Sequence, residues 1–151
     1  MRIGYGEDSH RLETGRALWL GGVSVPAPRG ALGHSDGDAL LHALTDAIYA
    51  ALGLPDIGVH FPPQDPQTSG ISSRVILAAS LEAARNKGLK PVQVSAVITL
   101  DWPKLSPFRL HLIDSLAELL ALEPGLVGLS FKTSEGLAPD HVQCRGIVVL
   151  E

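Results

Sequence analysis

The chain has 151 residues, 45% apolar and 19% charged, with a net charge of −4 and a single cysteine. That length reads as one domain spanning residues 1–151, able to bury a core without disulfides or a structural metal. The acidic balance excludes a general nucleic-acid or membrane-surface binder, so any nucleotide needs a local pocket, and the lone Cys144 excludes an internal disulfide and fits a reducing compartment.

The opening MRIGYGEDSHR has no apolar segment of the secretory kind, and no apolar run is long enough to span a bilayer. The expectation is a soluble, cytoplasmic protein. Residues 1–12 read as a first strand, with Ile3 and Tyr5 facing opposite to Gly4 and Gly6. Glycines inside a strand cost stability and mark a close approach of another backbone. Residues 17–25 (ALWLGGVSV) read as a second strand, hairpin-paired to the first through Glu13-Thr14-Gly15, and residues 26–33 as a loop. From Asp38 to Leu52, Leu40, Leu41, Leu44, Ile48 and Leu52 recur at helical spacing, with Gly53 and Pro55 as the stop.

Residues 54–70 (LPDIGVHFPPQDPQTSG) are too rich in proline for a regular element. A loop of that length is usually functional or disordered, and Ile57, Val59 and Phe61 are expected to anchor it. It reads as a substrate-covering loop with Asp56 and Asp65 as polar contributors; the alternative is a solvated connector. A second helix is predicted over 72–87, with Ile76, Leu77, Leu81 and Ala84 inward and Ser80 bonding back to a carbonyl one turn earlier. Residues 92–100 alternate as a core strand. A third helix follows, with Ser106 as N-cap, Pro107 at the first helical position and Phe108, Leu112, Leu116 and Leu119 as its stripe. Strands over 126–134 and 143–150 complete an α+β fold of about five strands and three helices, the helices packed on one face.

Chemistry concentrates around the first helix. Asp38, His42 and Asp46 are spaced by four and share a face roughly opposite the Leu44/Ile48 stripe. Ala39, Ala43, Ala47 and Ala50 beside them would let another element come close. A histidine bracketed by carboxylates suggests a metal ligand held by outer partners. Asp8 and His10, two apart on a strand, project to the same side. Asp8, His10 and His42 together give two imidazoles and one carboxylate, the catalytic zinc pattern with a fourth position open. His34-Ser35 before the helix suggests an anion site at its N-terminus, and Lys104 could neutralise a phosphate. Lys132, Thr133, Ser134 and Glu135 offer a cation, two hydroxyls and a carboxylate, which suits phosphate and a hydrated Mg²⁺. No nucleophile elbow, Walker or dinucleotide fingerprint is present.

These residues resemble the 2-C-methyl-D-erythritol 2,4-cyclodiphosphate synthase family. The resemblance rests on Arg2-Ile3-Gly4-x-Gly6-x-Asp8-x-His10, Gly21-Gly22-Val23, His34-Ser35-Asp36-Gly37-Asp38 and His42-Ala43-Leu44-Thr45-Asp46. It continues through Asp56-Ile57-Gly58, Phe61-Pro62, Asp65-Pro66, Ser73-Arg74, Pro103-Lys104 and Thr133-x-Glu135. It implies a mixed sheet in a homotrimer with active sites between subunits, and cyclisation of 4-diphosphocytidyl-2-C-methyl-D-erythritol 2-phosphate with release of CMP. It further implies Zn²⁺ on Asp8, His10 and His42, and Mg²⁺ or Mn²⁺ placed by Glu135. His34 and Thr133 would stabilise the transition state, with Asp38 and Asp46 behind the zinc ligands. Ser35, Asp56, Gly58, Phe61 and Asp65 would contact the methylerythritol part, and Leu100, Lys104, Lys132, Thr133 and Ser134 the cytidine and its phosphates from the neighbouring subunit. Pro63 stands where the family usually has Asp, the family's lysine usually lies upstream of Lys132, and residues 141–147 (HVQCRGI) replace the Gly-Arg-Gly-Glu-Gly-Ile often found in relatives. Two other readings of the triad are a 2-His-1-carboxylate iron(II) oxygenase and a non-catalytic metal- or phosphate-binding module.

Overall fold

The computed structural model describes residues 1–151. Its main sheet has five strands: β1 (Arg2–Thr14), β4 (Arg29–Ala31), β5 (Pro91–Leu100), β6 (Val127–Lys132) and β7 (His141–Leu150), in the order β4-β1-β7-β5-β6. All neighbours are antiparallel except β5 and β6, which are parallel and joined through a helical crossover, as parallel neighbours require. The sheet is mixed and the fold α+β.

The expected single strand over 17–25 is instead two short strands, β2 (Leu18–Leu20) and β3 (Val23–Val25), paired only to each other. Gly21 and Gly22 both have positive φ (60° and 76°), the conformation a tight two-residue hairpin needs. The first strand takes β7 and β4 as partners, not this segment.

Helix α1 (Ala39–Leu52) starts at Asp38 and ends at Gly53, whose φ of 68° supplies the left-handed cap. It is buried almost all round, on the alanine side as well as along the leucine stripe. The glycines of the sheet explain this. A Cβ on Gly4 would lie 1.8 Å from the Ala47 carbonyl oxygen, and one on Gly6 would lie 2.1 Å from that of Ala43. Gly6 pairs directly with Gly146 of β7, where a Cβ would meet Leu44 at 2.6 Å. The helix backbone therefore lies against a side-chain-free furrow of the sheet.

Helix α2 (Ile57–His60) is one turn within the proline-rich loop; Tyr49 of α1 stacks on His60 with ring centroids 4.1 Å apart. Val59 is 62% exposed and does not anchor the loop as expected; Ile57 and Phe61 are half-buried. Helix α3 (Ser73–Arg85) is capped by Ser72 and buries Ile76, Leu77 and Ala84, while the Ser80 hydroxyl donates to the Leu77 carbonyl at 2.8 Å. Helix α4 (Arg109–Leu120) follows a 3₁₀ turn over Ser106–Phe108. Ser106 makes no cap there, because Pro107 puts that tighter turn between Ser106 and the α-helix. The inner stripe of α4 is Leu112, Leu116, Ala117 and Leu120; Leu112 and Leu116 are buried as predicted, while Phe108 and Leu119 pack against the core only partly buried.

The opposite face of the sheet has no helix on it. Ile3, Tyr5, Glu7 and Ser9 of β1 lie beside Val149, Ile147, Arg145 and Gln143 of β7, leaving Ile3 61%, Tyr5 53% and Ile147 44% exposed.

Candidate active site

Alternation along β1 sends Gly4, Gly6, Asp8 and His10 to the helix side of the sheet. The glycines let α1 settle close, and five residues before Ala47 its His42 reaches Asp8. The Asp8 Oδ2 oxygen is 2.7 Å from His10 Nε2 and 2.9 Å from His42 Nδ1, and those two nitrogens are 3.3 Å apart. These three donors are the only group of three potential metal-ligand side chains in the chain. The His10 Nδ1–H donates to the Leu32 carbonyl at 2.9 Å, so Nε2 is the atom with its lone pair free toward Asp8. Burial raises the Asp8 pKa, but the hydrogen bonds and charges of His10 and His42 outweigh it, and the carboxyl is lowered to about 2. Burial lowers the His10 pKa, while the hydrogen bond and charge of Asp8 raise it more, so the net direction is up. Two imidazoles and a carboxylate with lone pairs converging at such distances repel unless a cation or a proton lies between them. The donor set fits a zinc-type ion, and all three side chains line the adjoining hollow.

That hollow is lined by Asp8, His10, His34, Ser35, His42, Ile57, Gly58, Phe61, Pro63, Thr68, Ile71 and Ile76. The proline-rich loop thus forms one wall. It is tied down by the Gly70 amide donating to the His34 carbonyl at 2.6 Å and by the Asp36 amide donating to the Ile71 carbonyl at 3.2 Å. Asp56 and Asp65 cap their own turns, each accepting a backbone N–H through one oxygen, from Gly58 and Gln67 respectively.

Two expectations around α1 are corrected. Asp38 does not hold His42. It is 1% exposed and accepts from the amides of Gly21, Gly22 and Leu41, which ties the β2–β3 turn to the helix start. Burial raises its pKa against the lowering effect of those amides. The helix start is therefore filled by this carboxylate and is not open to a phosphate, since Ala39 to Leu41 are wholly buried. Asp46 accepts from the Ile57 amide at 2.7 Å and makes no hydrogen bond to His42 either. His42 Nε2 instead faces two hydroxyls, Ser73 at 2.9 Å and Ser35 at 3.1 Å.

The second polar cluster gathers elsewhere. Leu100, Lys104, Lys132 and Thr133 do come together, with Leu105, Ser106 and Phe131, in a hollow that shares no lining residue with the first. Glu135, at φ 56°, accepts from the Thr133 hydroxyl at 2.8 Å and lies outside the ligand triad. The Ser134 hydroxyl is bound at 2.7 Å to Asp101, a residue sequence reasoning left unassigned; Asp101 also accepts from the Ser134 and Gly136 amides. Those hydrogen bonds, led by the Ser134 hydroxyl, lower the Asp101 pKa.

The YgbB family model matches residues 1–151. The chain belongs to the YgbB family. A family relative from Thermus thermophilus, named 2-C-methyl-D-erythritol 2,4-cyclodiphosphate synthase, is 58% identical over 151 residues, covering 100% of this chain and 99% of the relative. A solved structure of an enzyme of that name superposes with a TM-score of 0.96 at 58% identity, over 99% of this chain and all of the other. A second, described as the CDP-bound form, gives 0.95 at 56% identity with the same coverage. Among the residues that sequence reasoning missed, Asp36 and Ser73 stand within YgbB-type motifs quoted above, but nothing in their spacing says that they meet His42. No helix of this YgbB chain is long and apolar enough to cross a membrane.

Proposed function

We propose that this chain is a phosphorus–oxygen lyase that cyclises 4-diphosphocytidyl-2-C-methyl-D-erythritol 2-phosphate to 2-C-methyl-D-erythritol 2,4-cyclodiphosphate with release of CMP, in non-mevalonate isoprenoid precursor biosynthesis. The observation that carries this reading is the convergence of Asp8, His10 and His42 at the base of a loop-covered hollow, in a chain matched by the YgbB family along its whole length.

In the reaction an oxygen of the 2-phosphate bonds to the β-phosphorus. The bond from that phosphorus to the oxygen bridging the α-phosphate breaks, and CMP leaves with that oxygen. Both phosphates belong to one molecule, so alignment and charge neutralisation are what the protein must supply. No protein nucleophile is needed, and Cys144 is no candidate: burial, followed by the charges of Asp38 and Asp8, pushes its thiol well up. Asp8, His10 and His42 would hold Zn²⁺, and Glu135 a Mg²⁺ or Mn²⁺. Bound there, such ions supply Lewis-acid polarisation of phosphoryl oxygens. His34 at the hollow's rim and the Thr133 hydroxyl would stabilise developing charge. Ser35, Gly58 and Phe61 would line the methylerythritol part, with the second oxygens of Asp56 and Asp65 taking its hydroxyls. Leu100, Lys104, Lys132 and Thr133 would receive the cytidine and its phosphates, and Ser134 shapes their turn through Asp101.

We further assign a homotrimer in which the second hollow completes a neighbour's first. Two observations support it: the hollows share no lining residue, and the uncovered sheet face presents Ile3, Tyr5 and Ile147 for burial. A cytoplasmic location accords with the single, buried Cys144.

The test is turnover of that diphosphocytidyl substrate, with CMP followed by chromatography and the cyclic diphosphate by phosphorus NMR. Stoichiometric products, lost on chelation and restored by Zn²⁺ with Mg²⁺, are expected. Folded, zinc-loaded protein that releases no CMP would overturn the assignment and favour a binding module. Light scattering that returned the monomer mass would overturn the shared site.

A further inference from the structure

The metal-ligand role of His42 depends on which of its ring nitrogens carries the proton, and the geometry points to a device that decides this. Nε2 of His42 lies 2.9 Å from the hydroxyl of Ser73, a side chain with no solvent exposure at the first position of α3. That hydroxyl in turn donates to Asp36 Oδ1, and the Ser73 amide donates to Asp36 Oδ2 at 3.0 Å. A serine hydroxyl has one hydrogen. With that hydrogen committed to a carboxylate, which accepts only, Ser73 can present nothing but a lone pair to His42. Nε2 must then be the protonated nitrogen and Nδ1 the one with its lone pair free, directed at Asp8 and toward His10. Ser35, the other hydroxyl at Nε2, accepts from the Gly37 amide and has no carboxylate fixing its own hydrogen. It accommodates either tautomer.

We propose that Ser73 and Asp36 are positioning residues for the metal centre: the Asp36–Ser73 pair locks His42 in the Nε2–H tautomer and aims Nδ1 at the ion. His10 reaches the same end by a different partner, its Nδ1–H donating to the Leu32 carbonyl. Each imidazole thus has an obligate acceptor behind it. Such outer partners raise ligand basicity and fix ring orientation, and their loss costs about 10- to 100-fold in metal affinity. Asp36 precedes α1 and Ser73 begins α3, directly after the proline-rich loop that walls the hollow.

The proposal rests on the assignment of Asp8, His10 and His42 as metal ligands, so wild-type protein is the control: tight, stoichiometric Zn²⁺ in chelator competition is expected. Ser73→Ala should weaken Zn²⁺ by about 10- to 100-fold with circular dichroism unchanged. Ser73→Thr, which keeps a hydroxyl, should recover most of that affinity, and Asp36→Asn should weaken it without altering the hollow's lining. Above the histidine titration range, in nitrogen-15-labelled, metal-free Asp8→Ala protein, where no carboxylate competes for a proton on Nδ1, long-range NMR should show His42 as the Nε2–H tautomer, and as a mixture once Ser73→Ala is added. Wild-type affinity in Ser73→Ala, or an equal loss in Ser73→Thr, overturns the positioning role while leaving the metal reading intact. A wild-type protein that binds no zinc overturns the metal reading itself, and this inference with it.

Discussion

At the Asp8–His10–His42 end of the molecule both imidazoles are backed by a second group: Leu32 behind His10, and Ser73 with Asp36 behind His42. At the Asp101–Lys104 and Lys132–Glu135 end the polar groups stand in an open hollow, and one carboxylate, Asp101, ties the turn through two amides and a hydroxyl. Lys104, Lys132 and Glu135 there are exposed. The difference matches the chemistry each end would perform. An ion needs donors fixed before it arrives, since reorganising them would cost affinity, whereas a flexible nucleotide tail can be gripped by exposed charges that order around it. The metal-ligand end is therefore pre-formed within one chain, and the open end is the part that the proposed trimer would bring to a neighbour's metal centre.

The largest expected effect comes from breaking the pre-fixed end. His42→Ala should leave the fold intact by circular dichroism, abolish stoichiometric zinc, and lower kcat by about 10³-fold or more, since a Lewis-acid ion contributes several kcal/mol to the transition state. Wild-type metal content and turnover in that variant would show that the triad is not the metal centre. Next comes the furrow that brings α1 to β1. Gly6→Ala sets a Cβ against the Ala43 carbonyl, and overpacking of that kind costs about 1–3 kcal/mol or more. Because the clash is one residue from His42, thermal melting should show lower stability and chelator competition weaker zinc; an unchanged melting curve would mean that the close approach is not structural.

At the open end the effects should be smaller and of another kind. Asp101→Asn removes acceptor capacity from an exposed turn and should raise KM about 3- to 10-fold, in keeping with the loss of about one net hydrogen bond, with zinc content unchanged. A loss of zinc in that variant would break the proposed division of labour between the two ends. The pH behaviour of Asp101 supplies the finest test. Its folded pKa is lowered by the Ser134 hydroxyl and the Ser134 and Gly136 amides. Its contribution is then fully present above the unfolded value of 3.8 and is lost as pH falls through the lower folded pKa. Amide shifts of Ser134 and Gly136 should titrate together with a midpoint below 3.8; a midpoint at or above that value would mean that the turn does not rest on this carboxylate.

The local patterns of the chain carried a good deal of this. Leucine spacing with Gly53 as the stop gave α1, alternation gave β5, and the two-residue spacing of Asp8 and His10 set both on one face. Each follows from the period of a single element and the chirality of the backbone, so no distant residue is needed. The glycines of β1 announced a close approach, though not what approached. Tertiary structure decided the rest, because the deciding partners come from far along the chain. Residues 17–25 became a separate hairpin while β1 paired with β7 along Arg2–Arg11 and with β4 at Leu12–Thr14. Asp38, which local spacing set beside His42, is drawn by the Gly21 and Gly22 amides into the helix start. The groups behind His42 come from Ser73, thirty-one residues away, where sequence offers only two serines before a helix. Local order is written in periodicity, whereas a polar side chain among several possible partners goes to the one that burial leaves without water, and only the assembled fold determines which that is.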